Sequence, residues 1–166
     1  MLPDWFLKIF PRKKTSLIRN NYLDYQTEIF LKLMDFFGYK LDTNNFNNIE
    51  RIRSNNARMS LNINKKPSKN LSLKDIYLND DKTIFMRKYE PNKINTDKAL
   101  LFFHGGGYVL GSIETHHNFV ASMSIYLGMK IYSLEYSLSH ENKFPIALGY
   151  AKKAYHRIMK ENDNKE

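Results

Sequence analysis

The sequence contains no cysteine. A disulfide framework and a thiolate metal site are thereby excluded, and a reducing compartment fits. It also lacks any apolar run near the ~20 residues that a membrane-spanning helix needs. The longest nearly apolar stretch, Phe119–Leu134, is broken by Ser122, Ser124, Gly128 and Lys130. The first ten residues carry Asp4 and Lys8 and lead into Arg12-Lys13-Lys14 with no small-residue cleavage site, unlike a secretory signal. A cytoplasmic location is expected on these grounds. Five histidines, His116-His117 among them, show no metal spacing such as H-E-x-x-H, so no metal and no cofactor are expected. A G-x-S-x-G is missing too: Gly107 and Gly111, the only glycines four apart, enclose Tyr108, Val109 and Leu110.

Charge is abundant but lopsided. Residues 1–98 hold 19 Lys and Arg against 11 Asp and Glu, a net of +8, whereas residues 99–166 hold 7 against 6. A basic half can favour an anionic membrane surface or nucleic acid. Eighteen asparagines beside the lysines point instead to a composition that uses Lys and Asn heavily, so no nucleic-acid partner is expected. At 166 residues with 42% hydrophobic side chains, the chain can build one real core.

The residues organised most distinctly are Leu100–Ser112. Four apolar residues run into His104 and then Gly105-Gly106-Gly107. This reads as a buried strand ending in a loop whose backbone N–H groups can face a ligand with no Cβ in the way. Such donors suit an oxyanion forming on a carbonyl.

The rest of the chain falls into order around that junction. Met1–Phe10 is short and aromatic, a flap or an interfacial segment. Thr15 or Ser16 caps a long helix to Gly38, with Ile18, Tyr22, Tyr25, Ile29, Leu33 and Phe36 as its apolar stripe. Asn44–Arg58 forms a weaker helix with Phe46, Ile49 and Ile52 on one face. The polar run Asn62–Asn70 marks a boundary between a helical segment, 1–70, and a sheet domain, 71–166. Leu71–Leu78 and Thr83–Tyr89 are strands joined by the turn Asn79–Lys82. Ala99–Phe103 is the central strand. Thr115 caps a helix with Phe119, Val120, Met123 and Leu127 inward, closed by Gly128; Lys130–Leu138 is the next strand. A last helix follows Pro145 with Ala147, Ala151, Ala154 and Ile158 along one side. Strand, helix, strand, helix at this spacing implies an α/β fold with a parallel sheet.

His104–Ser112 with Glu114-Thr115-His116, then Glu135-Tyr136-Ser137-Leu138, Glu141, Phe144-Pro145 and Ala147, resemble the hormone-sensitive lipase branch of the α/β-hydrolases. The pattern there runs roughly D-Y-R-L-A-P-E-x-P-F-P-A-A. Arg87, Tyr89 and Pro91 are similar to the R-x-Y-x-P that ends the second strand of that family. The resemblance covers about residues 71–160. Here Glu135 replaces the family's Asp, Ser137 its Arg and His140 its Pro, and His117 stands where an Asp is common. The resemblance implies a partial α/β-hydrolase fold: a mostly parallel sheet, flanking helices and an N-terminal cap-like segment, ending before the nucleophile elbow. It also implies that Gly106 and Gly107 are oxyanion donors, that His104 and Gly105 support their loop, and that Tyr108 borders an acyl pocket. The substrate implied is a small acyl ester, and the catalytic serine, acid and histidine of the family have no counterpart in these 166 residues. On this reading the chain is inactive alone and is completed by a second polypeptide.

Two other readings stand beside it. Gly105-x-Gly107 after a strand, with Glu135 ending the next, also resembles a dinucleotide-binding unit. There the helix starts at the glycines and meets the pyrophosphate. Here Thr115 opens it eight residues after Gly107, and His104 and Phe144-Pro145 go unexplained. The other reading is a non-catalytic interaction module or a decayed fragment, since an open apolar edge at Ala99–Phe103 invites pairing with another chain. Ser139-His140-Glu141 contains triad residue types, but sequence neighbours cannot adopt the directed geometry of a triad, so it reads as a loop.

Overall fold

The structure, a computed structural model, describes residues 17–18, 21–22, 24–36, 48–63, 68–139 and 141–163. The aromatic segment Met1–Phe10 and Gly38 lie outside them. The chain divides into two compact units, Met1–Asn47 and Asn48–Glu166.

In the first unit, β1 (Leu17–Ile18) and β2 (Asn21–Tyr22) pair antiparallel, Leu17 opposite Tyr22. The helix α1 spans Tyr25–Phe36. The continuous helix expected from Thr15 or Ser16 is therefore corrected. Its actual start is set by Asp24, whose side chain accepts the Thr27 N–H at 3.0 Å as an N-cap does. Ile18 and Tyr22 match the helical period of Ile29 by coincidence of spacing.

The second unit opens with α2 (Ile49–Ile63), five residues later than the helix expected from Asn44 and running into the stretch read as linker. Ile49 and Ile52 are buried as their spacing implies. A four-stranded sheet follows, ordered β3 (Leu71–Tyr77), β4 (Phe85–Pro91), β6 (Lys130–Glu135), β5 (Ala99–Phe103). β5 and β6 are parallel, Ala99 opposite Lys130. β4 runs against both its neighbours, so the sheet is mixed rather than mostly parallel. The cause is local: the Asn79–Lys82 turn folds β4 directly back on β3. Asn79 Oδ1 accepts the Ile84 N–H at 2.9 Å, and Lys82 takes φ 58°.

Helices cover both faces. α3 (Ile113–Leu127) packs with Val120 against Leu71, Tyr89 and Ile131. α4 (Ile146–Asp163) lays Ala154 and Ile158 on Met86, Tyr132 and Leu134. β6 is buried on both faces from Ile131 to Leu134, as a central strand with helices above and below must be. Leu134→Ala there costs ~2–5 kcal/mol. Among the described residues no helix is long and apolar enough to cross a membrane.

α3 departs from its expected cap and face. Its N-cap is Ser112, whose side chain accepts the Thr115 N–H at 3.2 Å while Thr115 Oγ1 accepts the Ser112 N–H at 2.9 Å. This is a reciprocal capping box, with Thr115 three residues inside the helix. The buried stripe is Ile113, His117, Val120 and Ser124, and Phe119 is 58% exposed. The polar members find partners in the core: His117 Nδ1 lies 3.1 Å from the Tyr89 hydroxyl, and Ser124 Oγ donates to the Met129 carbonyl at 2.8 Å. Gly128 closes the helix at φ 59° as expected.

Candidate active site

β5 delivers the chain to the carboxyl end of the sheet, where strand-end loops of α/β folds gather ligands. The first residue beyond it, His104, is buried. Its ring stacks on Tyr136, and its Nδ1 lies 3.0 Å from the Gly105 carbonyl oxygen. A carbonyl only accepts, so in the neutral ring Nδ1 carries the proton and Nε2 keeps its lone pair. Nε2 faces Glu135 Oε1 at 3.9 Å, beyond hydrogen-bond reach. Burial lowers the His104 pKa, with the Gly105 carbonyl opposing. Burial raises that of Glu135 to about 7, against the Ile113 N–H that donates to Oε2 at 2.7 Å. Both groups are thus pushed toward their neutral forms. Glu135 ties the start of α3 to the end of β6.

The glycines then turn sharply. Gly106 has φ 128°, Gly107 φ 62° and Tyr108 φ 61°. The Gly106 carbonyl accepts the N–H groups of Val109 at 3.0 Å and Leu110 at 2.9 Å. A tight turn with two successive left-handed residues is a glycine position at 107. At Gly106 a Cβ would stand 2.0 Å from the Leu110 carbonyl oxygen, so no other residue fits this path. Among the described residues nothing accepts the N–H groups of Gly106 and Gly107.

These glycines form one wall of a cavity of about 730 Å³. Phe103, Tyr136, Phe144 and Leu148 supply apolar lining, and Tyr108 stands at the rim, 63% exposed, edge-on to Tyr136. Ser137 also lines the cavity, and its buried Oγ has no hydrogen-bond partner among the described residues. His104, Gly105, Gly106, Gly107 and Tyr108, singled out in the sequence, are all brought to this one place. Among the described residues no group of three or more His, Asp or Glu side chains is arranged to hold a metal.

The motif residues upstream act as a brace. Arg87 on β4 grips Asp75 with Nε at 2.7 Å and Nη2 at 3.0 Å, and Glu114 in the first turn of α3 with Nη1 at 2.6 Å. Tyr89 is fully buried beneath α3. Together they hold α3, and so the far end of the glycine loop, against the sheet.

This architecture matches known proteins. Residues 100–166 fit the model of a family with the α/β-hydrolase fold. The chain carries part of an α/β-hydrolase fold. The chain is 38% identical over 63 residues to lipase 2 of a Moraxella species, a match that covers 38% of this chain and 14% of that protein. The Francisella virulence factor BioJ is 33% identical, with a TM-score of 0.59 over 72% of this chain and 38% of its own. A hormone-sensitive lipase from a metagenome library, 22% identical, shares the fold with a TM-score of 0.64 over 82% of this chain and 43% of its own. The chain therefore spans less than half the length of each of these proteins.

One residue at the site had no motif to announce it. Arg53, on α2, donates from Nε to the Val109 carbonyl at 2.8 Å and from Nη2 to the Ser139 carbonyl at 3.1 Å, and pairs with Glu141 through Nη1. Its one sequence signal is position: it follows Ile49 and Ile52 at the edge of the buried face of α2. Ser139 and Glu141, read as part of a loop, are engaged here as its partners.

Proposed function

We propose that this chain supplies the oxyanion-binding side of a carboxylic-ester hydrolase. The N–H groups of Gly106 and Gly107 are the donors, His104 and Gly105 shape their loop, and Tyr108 borders the acyl pocket. The observation that carries the reading is the left-handed turn at Gly107 and Tyr108 at the wall of an apolar cavity, where the Gly106 and Gly107 amides have no acceptor among the described residues. The names of its relatives, lipase 2 and an acetyl esterase among them, support the same chemistry.

Each such donor is worth ~3–4 kcal/mol to a transition state, but only once a nucleophile has attacked. Serine and histidine act as a unit, and these 166 residues contain no nucleophile elbow. The serine, its base and its acid therefore come from polypeptide outside this sequence, and a small acyl ester is the substrate of the completed site.

A second reading, an interaction module, is favoured by the uncovered surface around β5. That strand is the edge of the described sheet, and Phe103 and Phe144 beside it are 48% and 86% exposed. The two readings separate in one assay. A short-chain aryl ester is offered to the purified 166-residue chain, alone and mixed with a polypeptide carrying a nucleophile strand and G-x-S-x-G elbow. Turnover only in the mixture supports the ester-hydrolase reading. Turnover by the chain alone refutes the assignment of the nucleophile elsewhere. Stable binding without turnover favours the interaction module.

A further inference from the structure

We propose that Arg53 is the positioning residue of the glycine loop, locking the turn at Gly106–Val109 onto the loop that leaves β6. The structural part of this claim stands on contacts alone; its consequence for turnover rests on the ester-hydrolase reading.

The carbonyls of Gly106, Tyr108 and Val109 each have a hydrogen-bond donor. The Gly106 carbonyl is held by Val109 and Leu110, that of Tyr108 by the Ser139 N–H at 2.6 Å, and that of Val109 by Arg53 Nε at 2.8 Å. Fixing a carbonyl fixes its peptide plane, and with it the direction of the attached N–H. Among the described residues, Arg53 is the one side chain from outside both loops that hydrogen-bonds to each of them. Its Nε and Nη2 take one carbonyl from each, Val109 and Ser139, and Glu141 neutralises the remaining end. A planar fork of five fixed donors can do this; an ammonium group, a point charge on a flexible stem, cannot. The side chain is 21% exposed, and α2 anchors its base through buried Ile49 and Ile52. Without the fork, the Tyr108–Ser139 hydrogen bond is what remains between the turn Gly106–Val109 and the backbone of the loop that leaves β6, among the described residues.

The test is backbone amide hydrogen exchange on the full chain, wild type beside Arg53→Lys and Arg53→Met. In both variants the Ser139, Val109 and Leu110 amides should exchange roughly tenfold faster or more, the change that loss of a charge-assisted hydrogen bond brings. The Ile131–Leu134 amides should keep their protection, which certifies the fold. Unchanged exchange at Ser139 in Arg53→Met overturns the proposal. So does full protection restored by Arg53→Lys, since charge opposite Glu141 would then suffice. The mixed esterase described above gives the second readout: Arg53→Lys should lower kcat with KM unchanged, because the loop acts on the transition state. Faster exchange with kcat unmoved leaves Arg53 a brace and overturns its link to turnover, whereas a mixture that never turns over refutes the ester-hydrolase reading without touching the exchange result.

Discussion

The rings of His104 and Tyr136 lie face to face, centroids 4.2 Å apart and planes 12° from parallel, and the Tyr136 hydroxyl donates to the His104 carbonyl at 2.7 Å. One tyrosine from the end of β6 thus holds the residue before the glycines twice, by ring and by hydroxyl. The path of the loop begins at a point fixed in the core.

Tyr136→Phe keeps the stack and removes the hydroxyl, leaving a buried carbonyl unpaired. It should cost ~1–3 kcal/mol in urea unfolding. Tyr136→Leu, which also loses the stack, should cost more. Equal losses in the two variants would show that the hydroxyl bond carries the whole effect.

The glycines should differ in tolerance. Gly105→Ala meets only His116 Nε2 at 3.7 Å and should be nearly neutral. Gly107→Ala meets nothing but must hold φ 62°, a cost of ~1–2 kcal/mol. Gly106→Ala and Gly111→Ala drive a methyl to 2.0 Å and 2.2 Å from backbone oxygens, so both must displace the loop and should destabilise most. Urea midpoints of the four variants check this order.

Glu135 should make stability depend on pH in an unusual sense. Its carboxyl titrates near 7 in the native state, raised by burial, against an ordinary value of 4.5. Between those values the native state binds the proton that the unfolded state has released. The stabilisation is therefore complete below about pH 4.5 and is lost as pH rises through 7, a change on the order of 3 kcal/mol. His104, its pKa lowered by burial, works the other way: below 6.5 the unfolded state takes up a proton that the native state does not, so stability decreases as pH is lowered. Comparing wild type with Glu135→Gln separates the two. The variant should gain on wild type between pH 5 and pH 8 in denaturant titrations, and a difference independent of pH would contradict the assignment.

Much of the sheet and the loop was legible because their signals are local. An apolar run into three glycines, a turn of Asn and Asp, and a helix closed by Gly128 each act over a few residues. The R-x-Y-x-P motif was legible as a pattern, but only the structure gives Arg87 its two carboxylates. Where the reading slipped, polar residues occupied core positions. His117 and Ser124 sit on the inward stripe of α3, so a search for apolar residues moved the face toward Phe119. Thr115 looked like the cap because Ser112 follows the loop directly, and a capping box uses both. Arg53 was hidden for a different reason: its partners are two main-chain carbonyls and Glu141, the nearest of them 56 residues away, and no spacing encodes them.

The central claim is that the N–H groups of Gly106 and Gly107 receive an oxyanion, and the most direct measurement is of those two protons. In the chain mixed with a nucleophile-bearing polypeptide, an aryl phosphonate is used to form a tetrahedral adduct whose oxygen mimics the intermediate. The amide resonances of Gly106 and Gly107 are recorded before and after. The account predicts that both move downfield, as hydrogen bonds to a charged oxygen require, while the Gly105 amide stays in place. Adduct formation with the Gly106 and Gly107 resonances unmoved would contradict it.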